Sequence, residues 1–118
     1  MQQSARNFHN YKVWQDAVDL ATLVYNTTSK LPWFEKKGLC DQLQRAVVSI
    51  SSNIAEGAGR PTDADFAHFL DQSLGSANEV ETQLLIFLRH GNVKRTSTSS
   101  NMCEQYALLL GNNSCCHC

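Results

Sequence analysis

From Tyr11 to about Ser29 the apolar positions Val13, Ala17, Leu20 and Val24 recur at steps of four, three and four, with Trp14, Ala21 and Tyr25 beside them. That spacing predicts an amphipathic helix. "LPWFEKKG" then breaks the pattern, because Pro32 cannot continue a helix, and Leu31, Trp33 and Phe34 are expected to plug the end of a bundle. A second helix is predicted from about Leu39 to Glu56, where Leu39, Leu43, Ala46, Val47, Ile50 and Ile54 fall on one arc. Gly57 and Gly59 are expected to stop it. Pro61 and Thr62 open a third helix, and Thr62 with Asp65 forms a T-x-x-D capping pair. Its apolar series is Phe66, Phe69, Leu70, Ala77, Val80, Leu84, Phe87 and Leu88, with Gly75 off the stripe.

After His90 and Gly91 the periodicity stops. "NVKRTSTSSN" is polar throughout, and only "MCEQYALLL" offers apolar residues at helical steps: Met102, Tyr106, Leu109 and Leu110. A short or atypical fourth helix is expected there. Three long antiparallel helices leave one groove open, which this fragment or a neighbouring subunit must cover. The fold class is therefore all-α, an antiparallel up-down bundle. The 118 residues suit one domain, 11–110, between a polar tail, 1–10, and a Cys-rich tail, 111–118, expected to be disordered.

Composition changes this picture little. The chain has no apolar run of the roughly 18 to 20 residues a membrane span needs, and Met1 to Asn10 lack the apolar core of a secretion signal, so a cytoplasmic location without membrane association is expected. The net charge of -1 argues against a generally basic nucleic-acid binder. Charge is unevenly placed, however: residues 1–60 carry seven Lys/Arg and five Asp/Glu, and residues 61–93 carry one and five. Such asymmetry favours contact between unlike surfaces of neighbouring copies; solvated helix faces are the simpler explanation. Cys40 stands alone while Cys103, Cys115, Cys116 and Cys118 crowd the end, which suits reduced thiols better than a disulfide framework. The closing "CCHC" lacks the intervening turn of a zinc ligand pair, so no metal site is assigned.

The second helix carries the unusual feature. On a helical wheel Gln42, Arg45, Ser49, Ser52, Asn53 and Glu56 occupy an arc of about 100° immediately beside the apolar one. A merely solvated face normally holds Lys and Glu in quantity; most of these groups are short and let another backbone come close. A hydrogen-bond network, within the chain or between subunits, is the favoured reading over an exposed stripe or a ligand site. Arg45 and Glu56 are three turns apart and need different partners, with Glu79 and Glu81 as candidates for Arg45 and Arg60 as a candidate for Glu56.

Taken together, "VWQDAVDLA", "SNIAEGAGR" and the "FL…GS..EVETQL" pattern resemble the four helix bundle protein family. That family includes proteins encoded within intervening sequences of large-subunit ribosomal RNA and accessory proteins of diversity-generating retroelements. The resemblance covers about Tyr11 to Gly91 and implies a left-handed four-helix protomer assembled as a homopentamer. Retroelement members bind nucleic acid together with a reverse transcriptase; the ribosomal RNA insert proteins have no settled activity. After Gly91 the chain departs from the family's long fourth helix, and the Thr/Ser run and cysteine-rich end read as replaced sequence.

Three function classes follow. The first is a non-enzymatic oligomeric scaffold that binds RNA or DNA, with Arg6, Lys12, Lys36, Lys37, Arg45 and Arg60 as candidate phosphate contacts, multiplied by assembly. The second is a structural or protein-interaction module whose polar stripe, Gln42, Arg45, Ser49, Asn53, Glu56, Arg60 and Glu79, serves assembly alone. An enzyme is the least supported. Asp65-x-x-His68 occurs once where a dinuclear bundle site needs two such pairs, and "GAGR" is no phosphate loop. No cofactor, catalytic set or metal site is expected.

Overall fold

The computed structural model describes residues 6–31 and 36–89, apart from the side chains of Lys36, Lys37 and Leu88. Helices α1 (Lys12–Thr28), α2 (Asp41–Ala58) and α3 (Asp63–Arg89) make up most of this part, and no strand occurs among the described residues. A single 3-10 turn, Phe8–Asn10, precedes α1, and a wide turn, Lys36–Cys40, kinked at Gly38, leads into α2. The expected fourth helix, the tail 111–118 with its "CCHC", and Trp33 and Phe34 lie outside the described residues.

The three helices alternate in direction. At the α1–α2 pair, Gln44 Nε2 near the start of α2 donates to Thr28 Oγ1 at the end of α1, at 2.7 Å. Along α2 and α3 the partners run in opposite order: Ser49 meets Ser76, Ile50 meets Ser73, and Gly57 meets Phe66 and Phe69. A short connection, Gly59 to Thr62, makes that reversal possible. Helix α2 packs on both neighbours, while α1 and α3 make at most marginal contact with each other.

Each helix end has a local cause. Three successive hydroxyl residues finish α1: Thr27, Thr28 and Ser29 donate to the carbonyls of Leu23, Val24 and Asn26, at 2.8–2.9 Å. Hydroxyls that bond back to the preceding turn weaken continuation of the helix. At the start of α3 the Asp65 amide donates to Thr62 Oγ1 at 3.1 Å, the expected cap. The end of α2 differs from expectation. Gly57 does not stop the helix; α2 continues through it to Ala58, and Gly59 ends it with φ -82°.

The core lies along α2. Leu43, Val47, Ile50 and Ile54 are buried with Ala17, Leu20 and Val24 of α1 and Val80, Leu84 and Phe87 of α3. Burying each large side chain contributes about 1.5–3 kcal/mol. Cys40 joins this cluster and is buried. Val13 and Leu70 of the predicted apolar series stay outside, 42% and 39% exposed, as does Leu74, which was not in that series, at 55%. With Ile50, Ile54, Ser73 and Ala77 they line an apolar groove of about 270 Å³ between α1 and α3. No described helix is long and apolar enough to cross a membrane.

Candidate interaction face

The polar arc of α2 divides into two edges once the neighbouring helix is in place. Ser49 and Asn53 are half-buried, whereas Gln42, Arg45, Ser52 and Glu56 are exposed. On the inner edge, Asn53 Nδ2 donates to the Ser49 carbonyl at 2.8 Å and to Ser49 Oγ at 3.0 Å. Ser49 Oγ in turn bonds Ser76 Oγ of α3 at 2.8 Å. One helical turn further along, the buried Ser73 Oγ donates to the Ile50 carbonyl at 2.7 Å. Short side chains are what this seam requires, because a hydroxyl reaches a facing backbone only when the helices approach closely.

Gly57 extends the same seam to the end of α2. A Cβ placed there would lie 2.6 Å from Phe69 Cβ and 3.0 Å from Phe66 Cδ1. The glycine therefore serves the α2–α3 crossing and not a helix stop. Ser73 and Ser76 were not among the predicted network residues. Their position beside Ala77 on α3, three residues apart, is the small-residue spacing that signals a close crossing.

The outer edge is composed of local ion pairs. Arg45 Nε lies 3.3 Å from Asp41, and Arg60 Nη2 lies 3.2 Å from Glu56, each at i,i+4 spacing. Arg60 is thus the partner expected for Glu56, while Arg45 pairs within its own helix. Glu79 accepts from Gln83 Nε2 at 3.1 Å. Gln83 is buried, and its Oε1 has no hydrogen-bond partner among the described residues. Exposed pairs of this kind contribute only about 0.3–0.5 kcal/mol each.

Among the described residues each candidate phosphate contact is paired with a carboxylate, Arg6 with Asp63. Lys12 Nζ holds Asp16 at 2.9 Å, Arg45 and Arg60 hold carboxylates, and the side chains of Lys36 and Lys37 lie outside the described residues. The Arg60 guanidinium also lies over the Phe69 ring, 4.7 Å from its centroid. His68 is exposed and bonds Gln72 at 3.0 Å. Among the described residues no group of three His, Cys, Asp or Glu is placed to hold a metal ion. What the face offers chemically is a row of hydrogen-bonding groups and exchangeable ion pairs: Gln42, Arg45, Ser52 and Glu56 on α2.

Comparison with known proteins places this arrangement. No curated protein matches the sequence. The chain is similar to a crystal structure of a protein of unknown function from the S23 ribosomal protein family of Bacteroides thetaiotaomicron, with 27% identity and a TM-score of 0.68 over 84% of this chain and 92% of that one. The family model for the 23S rRNA-intervening sequence protein matches residues 9–111, and the chain belongs to that family.

Proposed function

We propose that the protein is a non-enzymatic scaffold built on the antiparallel four-helix plan, and that it self-associates through the outer edge of the α2 polar arc. The observation that carries this reading is the division of the arc. Its inner members are used within the protomer, while Gln42, Ser52 and Glu56 of α2 remain exposed; on α3 Gly75 is exposed as well, and an added Cβ there would meet nothing within 4 Å. A glycine in the middle of an exposed helix costs about 1 kcal/mol relative to alanine, and an approaching helix from another copy gives that cost a use. The family resemblance implies five copies.

The test is the mass of the full chain in solution, by light scattering and native mass spectrometry. An oligomer is expected, and Ser52→Arg should lower its mass while leaving the helical circular dichroism spectrum unchanged. A wild-type monomer at about 100 μM, far above the dissociation constants of stable complexes, would refute the proposal.

Nucleic-acid association is a second reading, with a reverse transcriptase as the companion that the retroelement resemblance implies. The Lys12 and Arg45 side chains favour it: they are 79% and 80% exposed, and a phosphate could take the place of their carboxylate partners. Binding of this type weakens steeply with salt. A gel-shift series with structured ribosomal RNA fragments should show complexes at low salt only; no complex at any salt rejects it.

A further inference from the structure

The segment before α1 closes one end of the bundle. Arg6 Nη1 donates to the Arg60 carbonyl at 2.7 Å, its other terminal nitrogen pairs with Asp63, and its guanidinium lies over the Phe66 ring, 4.8 Å from the centroid. Tyr11 stacks on the same ring from the α1 side, with centroids 6.2 Å apart. Between them Phe8 and His9 stack on each other and meet the edge of Trp14. Gln15 Nε2 fixes the turn by donating to the His9 carbonyl at 2.8 Å. Residues 6–10, counted by composition with the polar tail, are therefore docked.

Their position relative to the groove gives this docking a consequence. Helices α1 and α3 run in the same direction with α2 behind them. The first residues past the Tyr11–Phe66 stack on each helix, Val13 and then Leu70 and Leu74, are the groove walls. Since α1 and α3 barely touch elsewhere, residues 6–11 bridge their starts directly. We infer that residues 6–11 form a clasp, held by Arg6, that ties the starts of α1 and α3 together and sets the width of the apolar groove. The Arg6 side chain is 22% exposed while that of Asp63 is 98% exposed. The clasp thus rests chiefly on the arginine's contacts with Phe66 and the Arg60 carbonyl, and the carboxylate adds a screened contribution.

Hydrogen exchange of the full chain, read by mass spectrometry, tests this. Arg6→Ala should raise exchange in the peptide spanning residues 8–15 on the order of tenfold, and leave the α2 peptide spanning 43–54 unchanged. Arg6→Lys, which keeps the charge but not the planar group, should behave nearly as Arg6→Ala. Asp63→Asn should give a smaller rise, and 1 M salt should reproduce that smaller rise in the wild type. Release should also increase fluorescence of anilinonaphthalene sulfonate, an apolar dye, and Leu74→Ser should suppress the increase. Unchanged exchange at 8–15 in Arg6→Ala overturns the clasp, as does full protection in Arg6→Lys. Should Arg6→Ala lose α2 protection, Arg6→Lys decides: an 8–15 peptide as protected in that variant as in the wild type overturns the inference.

Discussion

Replacing Gly57 by alanine tests the close crossing of α2 and α3 directly. Two effects oppose each other. Within a helix, Gly→Ala gains about 0.5–1 kcal/mol from backbone entropy and propensity. Against this, the new methyl would sit 2.6 Å from Phe69 Cβ and 3.0 Å from Phe66 Cδ1. The nearer atom is joined directly to the α3 backbone, so no side-chain rotation relieves the clash. The start of α3 must move by roughly an ångström to restore ordinary contact, and overpacking of this kind costs about 1–3 kcal/mol. Because the displaced atom is rigid, the upper part of that range applies, and the net loss should be about 2 kcal/mol. For a domain of this size that corresponds to a fall in Tm of roughly 8–16 °C. Thermal unfolding by circular dichroism at fixed chain concentration measures it, since the proposed self-association would shift Tm by mass action. Gly75→Ala is the control, because its Cβ meets nothing within 4 Å. At a concentration where the chain is monomeric it should raise stability by up to about 1 kcal/mol. An unchanged or higher Tm in Gly57→Ala would refute the crossing geometry.

Other substitutions probe the remaining contacts. Thr62→Ala removes the cap on the Asp65 amide and should lower stability by about 0.5–2 kcal/mol, read from denaturant midpoints. Ser73→Ala deletes the buried bond to the Ile50 carbonyl and should cost about 1–2 kcal/mol in the same assay; a loss below experimental error would show that water replaces the hydroxyl. In a double-mutant cycle, Ser49→Ala and Ser76→Ala should be non-additive by about 0.5–1.5 kcal/mol, because both remove one bond.

How much of this was legible in the sequence depends on what each signal reports. Leu43, Val47, Ile50 and Ile54 were read correctly as a buried arc because α2 has a neighbour on both flanks, so its periodicity and burial coincide. Gly57 was misread. Glycine before a turn usually marks a helix end, and only the facing aromatic rings reveal the close approach as its purpose. The polar arc was recognised as a face, but a wheel assigns no partners. Ser73 and Ser76 were missed because a lone serine beside an apolar stripe looks like any tolerated surface residue. Arg45 was assigned remote carboxylates although Asp41 stood one turn away, at the spacing where helical ion pairs form by default.

Val13 and Leu70 carry the most informative disagreement. Their spacing marks them for burial, and the described helices leave them 42% and 39% exposed. Periodicity records which surface must be covered, not which element covers it. The described residues thus present two faces of opposite character: an apolar groove between α1 and α3, and an exposed polar edge along α2. The polar edge lies off the core that α2 forms with its two neighbours, whereas the groove has Ile50 and Ile54 of that core in its lining. Changes at exposed Ser52 on the polar edge should therefore leave the packing of Leu43, Ile50 and Ile54 intact. Changes along the Ser49–Ser76 and Gly57–Phe69 seam should instead lower stability, so that folding and the proposed self-association can be measured independently in one chain.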